Sequence, residues 1–587
     1  MNQDFWKKGM VLTVLCLCIG IAFIPLVSSS MNYESVQVSN RKDDSFENME
    51  RCSFPHDDLY HSYAKERFSK QMETYAEHRQ FHYEHVLYLD KSQLLLTQAT
   101  SEPDFENGTT WYVDADGSAD FTSIQEAINA ANPGDTVFVY SGFYQENLVV
   151  NTSIILEGED KETTVIDGDE GTVVNVDANW VRITGFTIQN GIYGINLRYS
   201  TDNTISGNTI TNNIWNGIRL TFSPDNMITD NIFHSTGIII TGFHAHHWNS
   251  HIIENNSANN RPIRYYKNAK DIVVPDDTAQ VILANCVGFT IQNLNLSNVY
   301  SGIQLGYSSD NLIIGNTITN NNWHGIWMYF SSRNVISGNT ITNNIGLGIG
   351  MAYSSDNTII GNTITNNNDG IWLVESSDTI ITGNTITNNN WHGIYLVSSS
   401  DNNSVAGNTM DNNGEGIHLE YSNHNTITGN TITDNKDGIY LVSSSDNTIT
   451  ENTINNSEVG ITLELEYGSS SDNTIAENTI SNNIYGIFLH SYCNHNVIYY
   501  NNFIDNDKIS VDEGNNMWDN GYVGNYWSDY RERYREARRR LFRPLIWNSP
   551  YAIPGGDNFD RFPLSIPYSE DNLFFRLSEL FQNIFNF

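Results

Sequence analysis

Residues 393–412 read GIYLVSSSDNNSVAGNTMDN, and residues 438–456 read GIYLVSSSDNTITENTINN. The same phrase organises most of the chain. Its Gly-Ile dipeptide recurs at Gly194, Gly217, Gly237, Gly302, Gly325, Gly348, Gly370, Gly393, Gly416, Gly438, Gly460 and Gly486. From Gly302 to Gly460 the interval is always 22 or 23 residues. A fixed period in the twenties is the mark of a solenoid. Each unit holds three short β signals, Gly-Ile-x-Leu, Asn-Thr-Ile and Asn-Thr-Ile-Thr, separated by Ser/Asp/Asn/Gly turns. Three strands and three turns per unit predict one coil of a right-handed parallel β-helix. No run has the 3.6-residue period of a helical repeat, and Ile rather than Leu dominates the apolar positions. Stacked coils lie about 4.8 Å apart, so each Ile falls on an Ile and fills the bore. Each turn Asn falls on an Asn, and the amides can bond along the stack. Twelve or so such coils predict a rod about 60 Å long.

Of 587 residues, 39% are hydrophobic, enough for one large domain with appendages. The formal net charge of −38 argues against a nucleic-acid partner and suits a salty or extracellular setting, or divalent cations. Five cysteines without a CxxC exclude a disulfide framework and a cysteine zinc module. Residues 1–30 carry Lys7-Lys8, an apolar run over Met10–Ile24 and a Ser28-Ser29-Ser30 cluster, the pattern of a secretory signal. A retained membrane anchor is the alternative. Either places the remainder outside the cytoplasm, secreted or at the cell surface.

Residues 31–108 form a polar segment, partly helical or disordered. His78, His82 and His85 share one helical face there, in a pattern that suits a metal or a solvated helix. The β-helix is expected over 109–505 and opens with a capping helix at Phe121–Ala131. Its capping box is Thr122 with Gln125, or Ser123 with Glu126. A Trp-rich closing segment covers 506–568. The tail at 569–587 is amphipathic, with Leu573, Leu577, Leu580, Phe581, Ile584 and Phe585 on one face. It is expected to cap the last coil, meet a partner or lie on a membrane.

Asp120–Val150 (DFTSIQEAINAANPGDTVFVYSGFYQENLVV), the repeats, the insert Arg261–Leu296, and the closing runs Asn515–Tyr530 and Ser549–Leu564 together resemble the NosD-like, CASH-type β-helix family of archaeal surface proteins. The resemblance covers roughly residues 109–568. It implies the pectin-lyase-like fold. It leaves activity open, since that family hosts sugar binders, epimerases, lyases and a copper-maturation protein. The copper member implies a copper site but lends no ligand position. Seven Arg within Arg531–Arg543 stand where the family has an acidic, Gly-rich stretch. They are expected to clamp acidic side chains of the last coils or to meet an anionic polymer or lipid surface.

Strand alternation selects the candidate functional residues. If Ile and Leu of Gly-Ile-x-Leu point inward, the residue between them points out: Gln304, Trp327, Gly350, Trp372, Tyr395, His418, Tyr440. The residue before each Gly also points out: His324, Asp369, His392, Glu415, Asp437. The expected surface is an aromatic strip, Trp327, Trp372, Tyr395, His418 and Tyr440, beside a strip of His and carboxylates. Sugars stack on such rings, so recognition of an extended carbohydrate is the leading expectation. The alternative is that the rings stack on one another for stability. A second class is an enzyme, in which Asp369, His392, Glu415 and Asp437 divide acid and base work or use a calcium-like cation in a lyase or epimerase. No Arg or Lys stands in these columns to serve as a lyase base. A third class is metal handling by His234, His244, His246, His247 and His251, dense enough for copper or zinc. A structural envelope protein is the fourth. Sequons at Asn107, Asn151, Asn255, Asn295, Asn402 and Asn455 are acceptor sites on a secreted chain.

Overall fold

A computed structural model describes residues 101–569, apart from Glu170 and Phe542. The N-terminal apolar run, His78, His82 and His85, and the tail from 573 onward lie outside the described residues. Among the described residues no helix is long and apolar enough to cross a membrane.

The chain is a parallel β-helix with three strands per coil. Its sequence cause is visible in one column. Ile318, Ile341, Ile364, Ile386, Met410, Ile432, Ile454 and Ile480 pair in parallel register from coil to coil, and all are fully buried in the bore. Three ladders of Asn run beside the apolar columns. In one, Asn316 Nδ2 donates to Asn339 Oδ1 at 2.9 Å, Asn339 to Asn362 at 2.9 Å, and Asn362 to Asn384 at 3.0 Å. Each Oδ1 also accepts the backbone N–H of the Asn one coil earlier, as Asn362 Oδ1 does from Asn339. Buried amides are thus satisfied along the stack, which is why an interior can hold so many.

The N-terminal mouth is closed by α1, Ile124–Ala130, with Ile124, Ala127 and Ile128 buried. Ser123 is its N-cap, accepting the Glu126 N–H at 3.3 Å. The Glu146 carboxylate accepts from Ile124 N and Gln125 N, both at 2.9 Å, completing the cap expected of an open edge.

The expected single rod is interrupted. Before the interruption the Gly-Ile strands join Leu148–Val150 and Thr172–Val176 in a five-stranded sheet that ends at Ile238–Thr241. At Ser257–Ala258 the chain turns over and pairs antiparallel with Arg261 and Pro262. A new parallel stack then starts from Arg261–Lys267 and Gln280–Ala284. The end of the first stack lies across the outer face of the second. The Gln280 and Gln304 amides donate to Ile238 O at 2.9 and 2.7 Å, and accept from Ile238 N and Ile240 N. They satisfy an otherwise open strand edge. A short helix, α2 (His246–Asn249), drops Trp248 onto Gly306, where a Cβ would meet the indole at 2.1 Å.

At the C-terminal end Phe503, Trp527 and Tyr551 stack face to face at 4.4 and 4.2 Å. The arginine run lies largely on this aromatic plug: Arg531 over Trp547 at 4.4 Å and Arg540 over Phe562 at 4.7 Å. Arg533 alone within it pairs with an acid among the described residues, Asp529 at 2.5 Å. Cation–π contact is the larger part of its role, in place of the expected clamp on acidic side chains.

Candidate functional site

The residues before and within Gly-Ile-x-Leu meet on the outer face of the second stack. His392, Glu415 and Asp437 are in paired register on successive strands. The Asp369 carboxylate accepts from the His392 backbone at 3.1 Å, and its Oδ1 lies 2.6 Å from His392 Nδ1. An ionised carboxylate only accepts, so His392 Nδ1 carries the proton of that bond. The His392 Nε2 faces Glu415 Oε2 at 3.7 Å, and Oε2 lies 2.7 Å from His418 Nδ1. The carboxylates Asp369 and Glu415 hold the His392 imidazole above its ordinary pKa, against the opposing effect of burial. Asp437 stands one strand on and accepts from Thr462 Oγ1 at 3.0 Å. Asp369, His392, Glu415 and His418 therefore form one line of contacts, with Asp437 at its end.

The aromatic column corrects the expected open strip. Trp327, Tyr395, His418 and Tyr440 are buried, Tyr440 to 1% exposure, and Trp372 is half-buried. Each ring packs on its neighbour: His392 on Tyr395 of the same strand at 4.5 Å, and, one strand on, Tyr395 against His418 at 4.7 Å and His418 edge-on to Tyr440 at 4.7 Å. Trp327 stacks on Trp372 at 6.2 Å. The Tyr395 and Tyr440 hydroxyls donate to Glu420 and Glu464. Gln304, at the start of the column, lies under the first stack.

The His234–His251 cluster is drawn into the junction rather than around a common point. His251, fully buried, takes the place of an Asn in a ladder: Nδ1 accepts from Asn226 N at 3.3 Å and Nε2 donates to His247 O at 2.8 Å. Burial drops both His251 and His247 to a pKa of about 4. His246 pairs with Asp225 at 2.9 Å, the His244 ring lies tilted against His247 at 5.3 Å, and His234 is exposed on its strand. Both ring nitrogens of His251 are already used within the junction. Among the described residues the group whose donor atoms converge is His392, Glu415 and His418, all within 4.8 Å.

The open aromatic edge lies elsewhere, one residue further from the strand. The turn position two before Gly-Ile holds Trp215, Trp323, Gly346, Asn368, Trp391, Gly414 and Lys436. Backbone bonds stack it coil on coil: Gly346 N to Trp323 O, Asn368 N to Gly346 O, and Trp391 N to Asn368 O, at 2.8 to 2.9 Å. Across the junction Trp215 and Trp323 approach to 5.8 Å. Trp215 is 38% exposed, Ile345 beside the edge 64%, and Trp323 and Trp391 are half-buried. Strand alternation says nothing about a turn residue's direction, so the column reading passed over these rings. Their recurrence before His324 and His392, as Trp-His-Gly-Ile, was the available signal.

The family model for NosD, described as a periplasmic copper-binding protein, matches residues 128–274, 265–413 and 390–532. The chain belongs to the NosD family. A cell surface glycoprotein of Methanothermus fervidus is 31% identical over 169 residues, which span 23% of this chain and 28% of that protein. This NosD-family chain thus matches about a quarter of the length of that curated relative. Among solved structures, the periplasmic alginate epimerase AlgG is 13% identical, with 65% of this chain and 76% of that one covered and a TM-score of 0.28. An alginate lyase from Paenibacillus sp. is 16% identical, with 43% and 95% covered and a TM-score of 0.26. Likenesses at that level carry no assignment of activity.

Proposed function

We propose that this NosD-family β-helix works outside the cytoplasm, at the cell surface, and recognises an extended carbohydrate polymer along the Trp215–Trp323–Trp391 edge. The observation that supports it is the edge itself. Half-open indole rings recur on one turn column, beside exposed Ile214 and Ile345. An apolar strip on an acidic surface calls for a ligand, and a sugar offers an apolar ring face together with hydroxyls. Exposed Asn390 and half-exposed Asn368, on or beside the same edge, can bond those hydroxyls. The extracytoplasmic placement follows the family's periplasmic description, the surface-glycoprotein relative and the signal-like residues 1–30.

A second reading, an enzyme on that polymer, is favoured by the Asp369–His392–Glu415 line immediately beside Trp391. Two carboxylates around an oriented imidazole can divide acid and base roles. One assay separates the readings. The full chain is incubated with neutral and acidic polysaccharides, with and without calcium, and retention and newly formed chain ends are recorded together. Retention without new ends is the expected result. New ends that vanish when Asp369, Glu415 and Asp437 are changed to Ala would make it an enzyme. Absence of retention on every polymer would remove the proposal.

A further inference from the structure

We propose that His392, Glu415 and His418 bind one divalent transition-metal ion of the zinc or copper(II) class, with Asp369 as the positioning residue. Three observations carry this. First, the donor atoms of the three side chains all lie within 4.8 Å of one another, close enough for small side-chain shifts to bring them onto one cation with bonds of about 2.1 Å. Second, Asp369 engages His392 Nδ1 at 2.6 Å and leaves Nε2 facing a Glu415 carboxylate oxygen at 3.7 Å. That gap is too long for a hydrogen bond and is a spacing that two donors on one small cation can take. A carboxylate behind a histidine whose other nitrogen is free for a metal is the usual supporting arrangement of metal centres. Third, His418 is 4% exposed, yet neither ring nitrogen makes a hydrogen bond. Its Nδ1 stands 2.7 Å from Glu415 Oε2, but outside hydrogen-bond geometry. A buried imidazole is seldom left in that state.

The donor set selects the ion. Two imidazoles and a carboxylate suit zinc, copper(II), nickel and iron(II). Copper(I) prefers thiolate and thioether, and no sulfur stands in this group. The family's copper therefore fits these residues better in its oxidised form. Calcium requires an all-oxygen shell and does not fit. The rings of Tyr395 and Tyr440, packed on either side of His418, wall the group and restrict water, which strengthens each metal–ligand contact.

The test uses the full chain, freed of metal by a chelator and then dialysed against zinc(II) or cobalt(II). Bound metal is measured by mass spectrometry, and the cobalt d–d bands report coordination. The expected result is one equivalent in the unaltered chain. His418→Gln and Glu415→Gln should lose it while keeping the β circular dichroism spectrum. Asp369→Asn should weaken binding by about 10- to 100-fold. A His244→Ala/His246→Ala double variant should keep the full equivalent. If one ligand variant fails to fold, the other decides. The proposal is overturned if the unaltered chain takes up no metal, if the ligand variants retain it, or if only the junction double variant loses it.

Discussion

At the scale of single residues, the glycine of Gly-Ile is set by proximity rather than by backbone angle. A Cβ on Gly393 would meet Gly416 O at 2.6 Å and Met410 Cγ at 3.0 Å. Coils could not stack at strand spacing with anything larger there. Gly393→Ala should destabilise the chain by about 2 kcal/mol through overpacking, measured by denaturant unfolding. His251 makes a different point. It occupies an Asn rung, and its folded pKa of about 4 lies below the ordinary value of 6.5. The folded state then binds fewer protons than the unfolded state between those values. The corresponding stability is present above pH 6.5 and lost as pH falls towards 4. At about 1.4 kcal/mol per tenfold change, the swing is on the order of 3 kcal/mol. His251→Asn, which restores the ladder residue, should flatten the stability–pH curve across that window. An unchanged curve would show that His251 does not carry it.

At the scale of elements, the Asn ladder is the part most legible in the sequence. The periodic Asn-Thr-Ile phrase shows both which side chains fill the bore and which amides stack beside it, as the Asn316–Asn339–Asn362–Asn384 series confirms. Asn362 donates to Ile336 O, Ile360 O and Asn384 Oδ1, and accepts from Asn339. Asn362→Ala leaves several of these groups without partners and should cost about 3 kcal/mol, read as a lowered unfolding midpoint. The candidate site was legible in part. Strand alternation brought Asp369, His392, Glu415 and Asp437 to one face. It assigned His418 to the sugar column, although that ring closes the metal-type group, because alternation ranks direction and not mutual distance. The Trp215–Trp323–Trp391 edge escaped because turn residues do not obey a two-residue period.

At the scale of the whole molecule, the sequence suggests one rod, and the chain builds two stacks meeting at a sealed junction. The missing Gly-Ile repeats between Gly237 and Gly302 marked the place, but not that the strand direction reverses at Ser257–Pro262. Long-range contacts such as Gln304 on Ile238 have no local signature. The junction's apolar centre is Trp248, fully buried, stacked on Tyr329 at 6.1 Å and bonded to Gly242 O at 3.0 Å. Trp248→Ala should cost about 4 kcal/mol and uncouple the two stacks, because solenoid stability is a sum of neighbour contacts. Calorimetry should then show two transitions in place of one. The junction also brings Trp215 of the first stack beside Trp323 of the second, so the proposed contact edge exists only in the assembled molecule. The most direct measurement is polysaccharide affinity of the full chain in two double variants, Trp323→Ala/Trp391→Ala and Tyr395→Phe/Tyr440→Phe. The account predicts at least a tenfold loss in the first and little change in the second. Affinity kept in the first and lost in the second would contradict it.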